Sequence, residues 1–517
     1  MTAGLRMLPS AATQRPFTRL ALASLATAQA GARRPGFDPS ALQPGILHLG
    51  CGAFHRAHQA FLTQKAIEAE LGGGPVPPWG IVSTSLRTPQ ITCALAAQDG
   101  LFTVLERGAE ETTATIVGTL REWIFAPTQE AALRSAFLNP EIKILTLTVT
   151  VSGYCTDART GRLDFAHPSI REDLRQGKPA TAIGVLVNGL RLRRDSALAP
   201  PVVLSCDNLP ANGRVLRQMC IDYAALHDDG LSNWIAQAVS FPTTMVDRIV
   251  PVCTPRDRED ARTALSLIDD VPVSSEPYAQ WVIEHFDGPR PRWDAAGAEY
   301  VHDASPWEAS KLRLHNGGHL AIACLGRLAG CTTVAEVVSL PGFCAFALRF
   351  MLDEQKPTLP PSDHDIRAYA TQLLARWRIR GVVHQLDRIM VNGSAKLPAR
   401  LLAPLCENRR ANRPAPCTLL AVAAWMLCTL RRDGNGMRFQ LEDAMEAQLA
   451  RCAAASGGNP ERLVDLLLAL PEIFGSLQGD AEIRCDLKRA ALLVAERGAK
   501  GAVAACMSGA LDPLEAG

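Results

Sequence analysis

Short apolar runs bounded by glycine or proline punctuate the first half of the chain. "GILHLG" (45–50) predicts a buried strand ending in glycine, and "WGIVSTSL" (79–86) predicts a second. Between them "AHQAFLTQKAIEAEL" (57–71) carries apolar residues at helical spacing, and "GGGPVPP" (72–78) ends it. The β-branched run "EIKILTLTVT" (141–150) and "PPVVLSCDN" (200–208) predict two more strands, with a helix over "AIGVLVNGLRLRRDSAL" (182–198) between them. Strands alternating with helices predict an α/β fold with a Rossmann-like, doubly wound parallel sheet. Beyond about residue 295 the pattern turns helical, in "SKLRLHNGGHLAIACLGRLAG", "YATQLLARWRI", "CTLLAVAAWMLCTLRRDG" and "PERLVDLLLALPEIF". The expected division is a dinucleotide-binding domain over 1–295 and a mostly α-helical substrate domain over 296–517.

A chain of 517 residues exceeds what one hydrophobic core serves, in keeping with two domains. With 47% hydrophobic and 20% charged residues and a formal net charge of +1, bulk charge gives no argument for nucleic acid or an anionic membrane as partner. Fifteen cysteines without a CxxC pair fit reduced thiols and a cytoplasmic location better than a disulfide framework. Near the start, "RPFTRLALASLATAQAGA" loosely mimics a signal peptide. An amphipathic helix capped by Thr18 explains the segment as well. No stretch approaches the ~20 apolar residues of a membrane span.

Two stretches carry candidate chemistry. "ILHLGCGAFHRAHQA" places Gly50 and Gly52 at a strand-to-helix turn, where backbone approaches a pyrophosphate and a helix N-terminus stabilises its charge. His55 occupies the place of the third glycine, so a structural tight turn competes with a dinucleotide site. The second strand offers Ser83, Thr84, Ser85 and Arg87 but no ribose-binding acid, which leaves NADP beside NAD as the cofactor.

"SKLRLHNGGH" (310–319) has three readings. It is a solvated helix face exposing Lys311 and Arg313; a metal site using His315 and His319, which lacks the glutamate of H-E-x-x-H; or a catalytic end. In the last, Lys311 is a general base whose ordinary value near 10.4 burial must lower. Asn316 then donates to a carbonyl or alkoxide oxygen, and His319 holds a substrate hydroxyl.

Taken together, "HLGCGAFHRAHQA" (48–60), "SCDNLPANG" (205–213), "FPTTMVDRIVP" (241–251), "SEPYAQWVIE" (275–284), "KLRLHNGGH" (311–319) and "NGSAKLPARLL" (392–402) give the chain its resemblance to the mannitol dehydrogenase family of polyol-specific long-chain dehydrogenases/reductases. The resemblance spans about residues 15–505 and is strongest to the branch acting on D-mannonate and D-fructuronate. It implies Lys311 as catalytic acid/base, with Asn208, Asn316 and His319 beside the reacting oxygen. It also implies Asp247, Arg388 and Lys396 in the substrate pocket, Glu308 as a proton relay, and the turn Gly50, Cys51, Gly52, Ala53, Phe54, His55 and Arg56 at the cofactor. NAD is the implied cofactor, with no catalytic metal. A sugar acid or polyol is the implied substrate, and the expected assembly is a monomer or small homo-oligomer.

On residue types alone, Asn208 is equally a turn residue, Asp247 an ion-pair partner of Arg248 or another cation, and Arg388 and Lys396 surface charges. The chain also departs from the family. Val151 in "TVTVSGYC" stands where relatives carry a glutamate, and "HNGGH" replaces "LNGSH" at His315 and Gly318. The expected activity is interconversion of fructuronate and mannonate. The alternatives are a mannitol (hexitol) 2-dehydrogenase and a nucleotide-binding protein with weakened catalysis.

Overall fold

The computed structural model describes residues 17–72, 74–157 and 160–511. Its central sheet is five-stranded and wholly parallel. In chain order the strands are β1 (Pro44–Leu49), β2 (Gly80–Ser85), β3 (Phe102–Arg107), β4 (Thr112–Val117), β5 (Leu120–Phe125), β6 (Ile144–Leu147), β7 (Val202–Ser205), β8 (Thr244–Asp247), β9 (Val273–Ser275), β10 (Gln280–Glu284) and β11 (Glu299–Val301). The parallel sheet runs β5-β2-β1-β6-β7, so the strand order reverses direction between β1 and β6. Neighbouring residues serve opposite faces. Ile46, Ile144 and Leu204 enter one apolar core, and Leu47, Leu145 and Val203 the other. A sheet buried on both faces needs near-continuous apolar runs, which is why these strands show little alternation.

Two mixed three-stranded sheets, β11-β10-β8 and β4-β3-β9, flank this layer. The strand expected over 141–150 ends at Leu147. Thr150 has φ +67°, and the N–H groups of Val149 and Thr150 leave the ladder for the Asp207 carboxylate, at 3.0 and 2.8 Å. The early segment forms a 3-10 turn over Leu22–Thr27 without a Thr18 cap. Instead the Thr18 carbonyl accepts from Ile268, and Leu20 is fully buried.

The second half is helical, as expected. Its core centres on Pro416–Cys428, a helix buried on all sides between Gly317–Leu328 and Ala481–Met507. The helix Ser305–Leu328 passes through a wider π turn at Lys311–Asn316. No helix among the described residues is long and apolar enough to cross a membrane. All fifteen cysteines are free; nine are buried, and only Cys93 and Cys485 are exposed.

Candidate functional site

A cavity of about 790 Å³ opens at the carboxyl edge of the parallel sheet, where the strand order reverses. Such switch points are where open α/β sheets bind ligands. Gly50, Cys51 and Gly52 line it from β1, Ser85 to Arg87 from β2, and Thr148 to Thr150 from β6. Gly50 has φ +104°, and a Cβ there would meet the Thr148 carbonyl at 2.3 Å. At Gly52 a Cβ would meet nothing nearer than the Gly50 carbonyl, 3.8 Å away, so the missing side chain leaves room beside the backbone. The helical run from Ala53 to Glu70 starts directly after it. A shape left open by glycine at a helix start fits a dinucleotide.

Part of the expected contact set stands back from the cavity. Ala53, Phe54, His55 and Arg56 do not line the cavity. The His55 ring is fully buried and stacks on His48 with centroids 3.4 Å apart, filling the space under the turn. The Arg56 guanidinium turns inward to the Val271 carbonyl.

Lys311 reaches the other side of the same sheet edge. It is 8% exposed, and its ammonium nitrogen lies 2.8 Å from Asn208 Oδ1 and also bonds the Val246 carbonyl. Burial pushes its pKa down; the Asp247 carboxylate pulls it back up, and the Arg376 and Arg400 charges push it down further. Asn208 owes its place to its neighbours. Asp207 closes the loop after β6 and accepts from the Tyr154 hydroxyl at 2.9 Å. Asn212, completely buried, donates to the carbonyls of Ser205, Asp207 and Thr244 and accepts from the Thr244 N–H at 2.9 Å. It therefore fixes the end of β7, which leads into Asn208, against β8, which carries Val246 and Asp247.

Asp247 is not paired with Arg248, whose guanidinium meets Glu106 at 2.7 Å. Its Oδ2 takes Arg376 at 2.8 Å and His315 Nδ1 at 3.1 Å. Arg376 also forks onto Glu276, at 2.7 and 2.8 Å, and lies over the Tyr278 ring. This network is almost wholly buried. Burial disfavours the Asp247 carboxylate, yet His315 and Arg376 together hold its pKa well below the usual carboxylate range. Arg376 and Glu276 received no role from the sequence. A signal was present: Tyr369, Leu373 and Arg376 fall at helical spacing on the apolar face of Ile366–Trp377, so a cation there had to be buried.

His315 and His319 pack edge to face, 4.5 Å apart, and His319 stacks on Trp377. Burial holds the His319 pKa well below 6.5, and its Nε2 has no hydrogen-bond partner. Among the described residues no three His, Cys, Asp or Glu side chains gather as metal ligands. His319 and His384 reach a second cavity, of about 690 Å³, between residues 249–257 and 380–389; Arg388 stands exposed at its wall. The Asn316 carboxamide has no partner among the described residues, while its backbone carbonyl accepts from Arg400 at 3.3 Å.

Lys396 donates to the Ile389 carbonyl at 3.0 Å. Burial and the neighbouring Arg400 charge lower its pKa to about 8, and burial lowers that of Arg400 to about 10. Glu308, raised by burial, accepts from the Ala211 N–H at 3.0 Å, at the start of the helix Asn212–Ala225. Val151 lies on the Val151–Tyr154 turn with 53% of its surface exposed.

Comparison with known proteins identifies the family of the chain. The mannitol dehydrogenase Rossmann domain matches residues 44–295, and the mannitol dehydrogenase C-terminal domain matches 303–491. The chain is 39% identical over 445 residues to the uncharacterized oxidoreductase YeiQ of Escherichia coli (strain K12), covering 85% of this chain and 90% of that protein. It is 38% identical over 480 residues to D-mannonate oxidoreductase of the same organism, covering 91% and 97%. The solved Pseudomonas fluorescens mannitol 2-dehydrogenase, in ternary complex with NAD and D-mannitol, superposes with a TM-score of 0.82 at 31% identity, covering 96% of this chain and 100% of that one. Two domain matches that share nearly the whole chain between them, and relatives aligned end to end, mean that the chain belongs to the mannitol dehydrogenase family of oxidoreductases.

Proposed function

We propose that the protein interconverts D-fructuronate and D-mannonate with NAD as hydride carrier and Lys311 as acid/base. The observation that carries the reading is the environment of the Lys311 nitrogen. A neutral amine has two N–H donors and one lone pair. Asn208 Oδ1 and the Val246 carbonyl take two donors. The lone pair is then left for a substrate hydroxyl, and burial favours the neutral form that possesses it.

The nicotinamide, when bound in the cavity beside Gly50 and Gly52, supplies the hydride acceptor or donor. In the oxidative direction Lys311 takes the hydroxyl proton and becomes an ammonium. In the reductive direction that ammonium returns a proton to the carbonyl oxygen. Asn316 and Asn208 stabilise charge on that oxygen, a role for preorganised amides. His319 and Asp247 border the substrate, and Arg388 and Lys396 meet its far end. Glu308, with its raised pKa, is the acid through which the Lys311 proton exchanges with solvent. D-mannonate oxidoreductase as a relative over nearly the full chain supports the sugar-acid substrate. NAD in the mannitol 2-dehydrogenase complex supports the cofactor.

The test is NADH consumption by the purified protein with fructuronate and fructose side by side, together with Lys311→Ala. Turnover of fructuronate, lost by about 10²–10⁴-fold in Lys311→Ala with NADH binding retained, is the expected result. Turnover of fructose alone would instead make the protein a hexitol 2-dehydrogenase.

A further inference from the structure

Residues 388–400 carry three cations, Arg388, Lys396 and Arg400, and no carboxylate among the described residues pairs with any of them. Several sheltered guanidinium groups of the chain are matched by acids, while Arg56 and Arg217 reach only backbone carbonyls. Arg376 meets Asp247 and Glu276, Arg248 meets Glu106, and Arg313 forks onto Glu407 at 2.6 and 2.8 Å. Arg193, which has no acid, spreads its donors over the carbonyls of Phe137, Asn139 and Ala199. Of those named, Arg400 is the most weakly held. It is partly buried, yet its one hydrogen bond is the 3.3 Å contact to the Asn316 carbonyl. Five N–H donors and a full charge are thus held with a single long bond.

The position of this deficit is informative. Pro398–Leu402 is a π turn packed against the π turn Lys311–Asn316, so Arg400 sits beside the two residues assigned to the reacting oxygen. Its charge is felt at Lys311. Lys396 lies four residues earlier, and its ammonium is held by Ile389, a residue of the 690 Å³ cavity wall. Lys396 already feels the Asp443 carboxylate, but a neutral polyol would leave Arg400 without a counter-charge. A carboxylate supplies one, and a guanidinium fork binds it through two parallel bonds.

We propose that Arg400, with Lys396 beside it, receives the carboxylate of the substrate and makes the site selective for a sugar acid over the corresponding neutral sugar. This rests on the oxidoreductase reading above and adds the residue that decides its substrate class.

The experiment compares kcat and KM for fructuronate and fructose, with NADH, in the wild type, Arg400→Leu, Arg400→Lys and Lys396→Met, each checked for an unchanged melting profile. The expected result is a fall of about 100-fold in the fructuronate-to-fructose ratio of kcat/KM in Arg400→Leu. The loss should lie mainly in KM, with partial recovery in Arg400→Lys and a smaller loss in Lys396→Met. Equal losses for both ketoses, or none, would overturn the proposal. If the wild type turns over neither ketose, the dehydrogenase reading fails by itself. Thermal stabilisation by D-mannonate but not D-mannitol, abolished in Arg400→Leu, would still uphold the carboxylate site, and its absence would end it.

Discussion

Lys311 shows how much a single side chain depends on remote ones. Its amine is buried, and the charges acting on it come from Asp247, Arg376, Arg400 and Glu308. Because burial dominates, its pKa lies below the ordinary 10.5. A base works only when deprotonated, so oxidation rate should rise with pH through a midpoint below 10.5 and level off above it. A pH profile of kcat/KM for D-mannonate checks this, and Lys311→Ala should lack the rising limb. Arg376 invites a stability test. Arg376→Leu leaves Asp247 and Glu276 buried without their cation, which should cost about 3–5 kcal/mol in denaturant unfolding. Lys311 and Asn208 could be singled out through the motifs that carry the family resemblance, and the structure brings their side chains to 2.8 Å. The partner of Asp247 was not legible, since Asp247 and Arg376 are 129 positions apart and meet only through the packing of a distant helix.

Elements were legible where their pattern is local. The strands β1, β2, β6 and β7 stand out as apolar runs, and their helices as periodic ones. The strands β3 to β5 and β8 to β11 were missed; several of the latter have only three or four residues and some pair with distant segments, while β3 and β4 pair with each other across a short turn. The π turn at Lys311–Asn316 was missed as well. Its i→i+5 bonding brings residues five apart onto one side of the helix, which an ordinary turn does not. Lys311 and Asn316 are five apart, so the wide turn accounts for their common face. The turn at Gly50 is equally specific. Gly50→Ala forces a Cβ at positive φ into the Thr148 carbonyl. Backbone strain alone should cost about 1–3 kcal/mol. The expected outcome is a lower Tm with weakened NADH binding, read by fluorescence titration.

For the whole molecule, the burial of histidines sets the response to acid. His48, His58 and His384 are kept neutral by burial, with pKa values near 3. In the unfolded chain each binds a proton near 6.5, so the stability they give is complete above that pH. It is lost progressively as pH falls from 6.5 towards 3. Asp207, Asp269 and Glu354, raised by burial, act in the opposite sense, which a difference measurement removes. The fall in Tm between pH 7 and pH 5 should therefore be shallower in His384→Asn than in the wild type.

The distribution of thiols across the fold gives the chain an internal clock. Cys93 and Cys485 face solvent, while nine others, with Cys417 and Cys506 deep in the helical half and Cys206 and Cys220 in the cores on the two faces of the parallel sheet, are enclosed. A bulky alkylating reagent should modify the first two at once and the enclosed nine only as the chain opens. Peptide mass mapping of that delayed labelling would time the opening of each half separately, without an added dye. Cys51 and Cys155, in the wall of the 790 Å³ cavity, would slow further when nucleotide is added.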